Sequence, residues 1–269
     1  ELNETGKYQV FFEETQGTAL FKQYIWASGN SGFALTGVGR NPQEYPTVSI
    51  ENGIDGSRAI KLETKSTGQF GETVKMPIAA GNLFLGSFDV NNAVQKPLKA
   101  TRFGLPFGKK PLQLKGYYKY TGTQPFKAKD KNGNTVTIPG QEDEGDIYAV
   151  LYEAAELDGQ ALDGNNVLTS KNIVALARVE VEKKDEFTAF HVDFHYESRI
   201  PIDWPKFIQD QRDPSDDGTD EYLPFKEEKM KNYEYNLAVV FTSSKYGAYF
   251  AGSVGSTLCI DKVEIVCEK

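Results

Sequence analysis

The sequence predicts an all-β protein, a jelly-roll β-sandwich of two antiparallel sheets. Three observations carry that expectation. Stretch after stretch alternates apolar and polar residues with the period of two that a half-buried strand requires. Glycines are abundant, 25 in 269 residues, and with Asn-Gly and Asp-Gly pairs they punctuate about twelve strand-like stretches. No amphipathic stretch with a 3.6-residue period runs beyond about three turns.

Taken in order, residues 1–9 are polar and predict a loose N-terminal arm. Residues 10–269 show no linker and predict a single sandwich domain. Val10 to Glu14 reads as a strand. From Gly17 to Gly39 turn formers crowd around Trp26 and Phe33. Asn52-Gly53 and Asp55-Gly56 are turn signals before an alternating strand, Arg58 to Glu63. Leu83 to Phe88 is a short apolar run, and Leu112 to Tyr120 alternates well. Asn132-Gly133 predicts a hairpin between Phe126–Ala128 and Thr135–Ile138. Asp146 to Glu153 is a strong strand, Ile173 to Val181 a weaker one. Between Phe187 and Glu197, Phe190, Val192, Phe194 and Tyr196 share one face, while His191, Asp193, His195 and Glu197 share the other. Pro201 to Tyr235 has no clean period, and so long an irregular segment suggests a functional or flexible excursion. Tyr235 to Phe241 returns to strand.

The last strand raises a question. From Asp261 on, Lys262 and Glu264 have one parity, Val263 and Ile265 the other, and Asp261 falls with the apolar set. A carboxylate facing a core needs a partner: a donor, a cationic side chain or a metal. A structural cation and backbone N–H groups at a sheet rim both answer that need.

Bulk properties exclude some functions. The net charge of −8 argues against a nucleic-acid partner, which calls for clustered Lys and Arg. No apolar run reaches the ~20 residues of a membrane span, and no signal peptide stands out. Cys259 and Cys267 lie ~26 Å apart on one extended strand and should not form a disulfide; Cys259 reads as a small packed hydrophobe.

Candidate chemistry is sparse. On a regular strand His191 and His195 sit ~13 Å apart, too far to share one zinc ion, and the set reads as an exposed polar face. A glycoside hydrolase needs two carboxyls about 5–9.5 Å apart. Asp193 and Glu197 would be ~13 Å apart, and Glu142, Asp143, Glu144 and Asp146 read as a solvated loop. Partners on different strands leave an enzyme open. Asp213 to Gly218 has the opening of an EF-hand loop, but Pro224 stands where Glu is needed, so it reads as a surface turn. Sugars stack on exposed aromatic faces. Trp204, beside Pro205 in the long irregular segment, is the best candidate and Tyr222 the second; Trp26 reads as packed.

Several stretches resemble one family, the putative carbohydrate metabolism domain of gut-bacterial surface proteins. They are Trp26 to Asn30, Asp55 to Thr64, Ala80 to Gly86, Pro111 to Tyr120, Asp146 to Glu153 and Thr242 to Val266. The resemblance runs from about residue 10 to the end. It implies a fold like a carbohydrate-binding module and glycan handling at a cell surface, without a defined reaction. Many carbohydrate-binding modules hold a structural calcium with a Phe-Glu near the start and an Asp near the last strand. Phe12-Glu13 and Ile260-Asp261 look similar, so calcium held by Glu13 and Asp261 is expected, with Glu14 as the alternative to Glu13. The function expected is non-catalytic carbohydrate binding to an oligosaccharide or polysaccharide at the cell surface. The alternatives are a glycoside hydrolase or polysaccharide lyase of the same architecture, and an adhesion or pilus-type structural module.

Overall fold

The computed structural model describes residues 1–15, 21–157 and 160–269. Two antiparallel sheets face each other. The larger runs in the order β1 (Phe11–Thr15), β2 (Phe21–Ala27), β7 (Asn82–Phe88), β16 (Tyr235–Thr242), β13 (Asp146–Glu153), β14 (Ile173–Val179), with β8 (Thr101–Phe103) on β7 and β9 (Leu105–Pro106) on β16. The smaller runs β15 (Lys184–Asp193), β10 (Pro111–Thr121), β17 (Thr257–Cys267), β4 (Ala59–Glu63), β3 (Thr47–Ile50). Two short hairpins stand apart, β5 (Lys65–Ser66) with β6 (Ile78–Ala79) and β11 (Lys127–Lys129) with β12 (Thr135–Thr137). The helices, α1 (Asn30–Ala34), α2 (Gly68–Thr73), α3 (Lys206–Gln209) and α4 (Glu227–Lys231), are single turns or little more. None among the described residues is long and apolar enough to cross a membrane.

Alternation in the sequence sorts side chains between two apolar layers. Ile147, Ala149 and Leu151 of β13 and Leu237, Val239 and Phe241 of β16 face the smaller sheet, meeting Leu114, Tyr118, Phe190, Leu258 and Ile260. Tyr148, Val150, Tyr152, Ala238 and Val240 point the other way, into a second layer with Leu162, Val167 and Tyr222. The larger sheet is therefore apolar on both faces, which is why β13 is buried at every position. Loops must cover its outer face. Arg199 fastens that cover: its guanidinium donates to the carbonyls of Thr169 (3.1 Å), Ser170 (2.7 Å) and Glu221 (3.1 Å).

Several expectations need correction. Residues 1–9 are not a loose arm. Leu2 bridges Gln9, the Asn3 carboxamide oxygen accepts from the N–H groups of Lys7 (2.9 Å) and Tyr8 (3.2 Å), and the Tyr8 ring lies 5.5 Å from that of Tyr45. The turn-rich stretch around Trp26 holds a strand, β2, before α1 begins. Residues 16–20, the start of that stretch, lie outside the described residues. Gly86 has a φ of 137°, and a Cβ there would run into the Arg102 carbonyl, so glycine is what lets β8 close on β7. Cys259 is buried and neither cysteine is in a disulfide, as expected.

The acidic stretch before β13 is not uniformly solvated either. Asp143 is buried, accepting from Ser244 Oγ (2.6 Å) and from the N–H groups of Ser253 (2.7 Å) and Glu144 (3.0 Å). Thr64 Oγ1 extends the network to Ser243 (2.8 Å) and Ser244 (2.6 Å). Burial outweighs these hydrogen bonds and lifts the Asp143 carboxyl to about 6. In the unfolded chain an Asp titrates near about 4. Between about pH 4 and 6 the folded state therefore holds the extra proton, and this group's contribution to stability falls as pH rises through that window. Asp143→Asn should remove that slope. The melting temperature of the wild type relative to the variant should be higher at pH 4.5 than at pH 7; a pH-independent difference would show that Asp143 does not titrate there.

Candidate functional site

The outer face of the larger sheet is not covered completely. A recess of about 200 Å3 remains. Phe84 of β7, Asp146 and Tyr148 of β13 and Val240 and Thr242 of β16 form its floor. Its walls come from α1, α2, the turns at 93–101, 164–169 and 244–250, and Trp204. The sheet supplies a rigid base, and loops from six regions of the chain supply the sides.

One end carries the polar groups. Asp146 and Arg178 form a two-pronged pair, Nε to Oδ1 at 2.9 Å and Nη2 to Oδ2 at 2.7 Å. Their side chains are 4% and 13% exposed. Residue 146 lies two positions before Tyr148, which is paired in register with Arg178 across β13 and β14, so all three sit on the outer face. Arg178 is held above the usual guanidinium range, because attraction to Asp146 outweighs its burial. Asp146 is the sole carboxylate of a described residue lining the recess.

Trp204, expected to be exposed, lines the recess but is half-buried and braced. Its ring centroid is 6.3 Å from those of Tyr246 and Tyr249, and the Arg212 guanidinium lies 4.5 Å over it. Arg212 is itself paired with Asp217 at 2.7 Å. Tyr222 does not meet its expectation. It is 7% exposed, its hydroxyl accepts from the Ile200 N–H (3.1 Å), and the Arg199 guanidinium covers its ring. The reason is the apolar outer face, which draws this aromatic of the irregular segment underneath the cover. Trp26 is packed against Phe241, 6.2 Å between centroids. His191, Asp193, His195 and Glu197 are all exposed, as their parity predicted, the first two on the edge strand of the smaller sheet and His195 past its end, where it bridges Leu176.

Glu13 and Asp261 line a second hollow, about 490 Å3, where the sandwich opens beside β1. Glu13 accepts from the Trp26 indole N–H at 2.9 Å. Asp261 is buried, and its oxygens accept from the N–H groups of Ile54 (2.7 Å) and Lys262 (2.7 Å) and from the Ser57 hydroxyl. Calcium asks for six to eight oxygen ligands. Around Asp261 stand N–H and O–H donors instead, and among the described residues no group of three or more His, Cys, Asp or Glu converges. The residues present do not fit a calcium ion. They fit the rim arrangement that the parity of Asp261 also allowed.

The sequence placed Asp146 in a solvated loop and did not single out Arg178, so the buried pair at the recess was missed. The signal was present: Asp146 begins the strongest strand, and Arg178 ends the apolar run Ile173 to Ala177. Pairing them requires knowing that β13 and β14 are neighbours.

These observations define a β-sandwich domain with an aromatic-walled recess on the outer face of one sheet. The chain belongs to the family described as "putative carbohydrate metabolism domain", whose model matches residues 1–266. It is thus a carbohydrate-related domain. It is similar to a solved structure from Bacteroides thetaiotaomicron described as a "putative glycoside hydrolase", with 41% identity and a TM-score of 0.80, over all of this chain and 70% of that one. A Bacteroides vulgatus structure of the same description is 37% identical with a TM-score of 0.77, over 97% of this chain and 91% of that one. No curated protein matches the chain.

Proposed function

We propose that this domain is a non-catalytic carbohydrate-binding module, working at or outside the cell surface, with the outer-face recess as its glycan site. Trp204 offers an aromatic ring to the apolar C–H face of a pyranose. Asn165 and Lys245, both part-exposed in the lining and held by Asp163 (2.7 Å) and Glu144 (2.9 Å), keep spare hydrogen-bonding capacity for sugar hydroxyls. The observation that carries the reading is that Asp146, tied to Arg178, is the lone carboxylate among the described residues lining the recess, whereas hydrolysis calls for two carboxyls about 5–9.5 Å apart. The description of the two similar structures favours the rival, a glycoside hydrolase of this architecture.

A glycan array and a reducing-end assay on a polysaccharide panel separate the two. Wild-type binding without release of reducing ends is expected, with Trp204→Ala weakening binding by about tenfold, or 1.4 kcal/mol. Circular dichroism of the variant checks that its fold is kept. Reducing ends released by the wild type and lost in Asp146→Asn would overturn the binding assignment and support the enzyme.

A further inference from the structure

The recess has two chemically different ends. Asp146, Tyr148, Trp204 and Tyr249 gather at one: Trp204 and Tyr249 are aromatic neighbours, and Asp146 and Tyr249 both bear on the Tyr148 hydroxyl. The other is hydrocarbon. Gly32 of α1 lies against Phe88 and Ala93, and Phe33 and Ile78 complete that wall. Phe70 of α2, also in the lining, is 40% exposed at this end, and Val38, 42% exposed, sits against neighbouring Gly68.

A bare sugar does not suit the second end. A buried hydroxyl needs a hydrogen-bond partner. The deep polar groups nearby already have theirs: Thr67 Oγ1 donates to the Met76 carbonyl at 2.5 Å, Asn82 accepts from the Gly29 N–H at 2.8 Å, and Ser244 donates to Asp143. Exposed hydrophobes on its rim mark a surface that gains from being covered.

Resting on the glycan-binding reading, we propose that the preferred ligand is a sugar bearing a compact apolar substituent, an aryl or short alkyl group, which enters the hydrocarbon end while the ring stays by Trp204. The affinity of the site then comes from two parts, and the apolar part is legible separately.

Titration calorimetry with paired methyl and phenyl glycosides, and methyl and butyl glycosides, of the sugars that bind on the array tests this. Phenyl and butyl forms should bind at least tenfold more tightly than methyl forms. Ala93→Trp, which fills the hydrocarbon end from a part-exposed position, should erase that gain, so that methyl, butyl and phenyl forms bind alike. Phe70→Ala, at an exposed position, should reduce the gain and serves if Ala93→Trp does not fold. Equal affinity for methyl, butyl and phenyl forms would overturn the substituent proposal and leave glycan binding standing. Binding of phenol or butanol with no effect of any attached sugar would overturn both this ligand class and the glycan reading, because the recess would then be an apolar site alone.

Discussion

Arg178→Ala is expected to destabilise the fold by about 3–5 kcal/mol, the usual cost of stranding one member of a buried ion pair. The pair is nearly sealed: 4% of the Asp146 side chain and 13% of the Arg178 side chain remain exposed, with two hydrogen bonds below 3 Å. Removing the guanidinium leaves Asp146 charged on an apolar floor beside Tyr148. The double replacement Asp146→Leu with Arg178→Leu should recover most of that loss, since an apolar pair of similar size removes both charges together. Urea unfolding of the two single variants and the double variant gives the cycle. If the double variant is as unstable as Arg178→Ala, the damage comes from lost packing and not from the stranded charge. If Arg178→Ala costs under about 1 kcal/mol, the pair behaves as a surface bridge and the recess floor is wetter than its burial indicates. The same variants report on function, because the pair fixes the polar end of the recess.

The fold was legible because a period of two is a local signal. β13 spans Asp146–Glu153, the range the sequence predicted, and β10, β16 and the hairpin around Asn132-Gly133 fall within a residue or two of expectation. Strand β3, Thr47–Ile50, is four residues long and gave too short a pattern to find. Strand β15 begins earlier than its apolar parity suggested, because Lys184 pairs with Tyr120 of β10 across an irregularity in register, and Lys184 to Glu186 bury no large side chain.

The site was less legible, and for a physical reason. Burial of a charged residue is decided by distant partners. Asp143 meets Ser244 and Ser253 from 101 and 110 positions away, and Asp146 meets Arg178 from 32 away. Nothing in Glu142 to Asp146 distinguishes the two buried carboxylates from the exposed Glu142 and Glu144. The fate of Tyr222 has the same origin. An aromatic in an irregular segment reads as exposed until the sheet beneath that segment proves apolar on its outer face. Trp204 could be found because Pro205 and the lack of a period placed it in a surface excursion, and one side of that excursion borders the recess.

Asp261→Ala is expected to cost about 3–4 kcal/mol, since it leaves a set of donors without their shared acceptor. Asp261 gathers the loop 51–57 onto β17 through the Ile54 N–H, the Ser57 hydroxyl and the Lys262 N–H. That gathering is tight. A Cβ on Gly53 would run into Asp261 Oδ2 and Ser57, so glycine is required for the close approach. Lys262 takes a φ of 47° as β17 bulges against β10, and its ammonium pairs with Asp55 at 2.7 Å on the outside. The bulge turns the Asp261 carboxylate toward the loop, and the donors hold it there. A chelator separates this account from a structural calcium. If donors alone satisfy Asp261, EDTA should leave the wild-type melting temperature unchanged, and Asp261→Asn should recover part of the loss, because a carboxamide oxygen still accepts from Ile54. A fall of several degrees on chelation, reversed by added calcium and absent in Asp261→Ala, would mean that a cation completes the rim and that the loop rearranges to admit it.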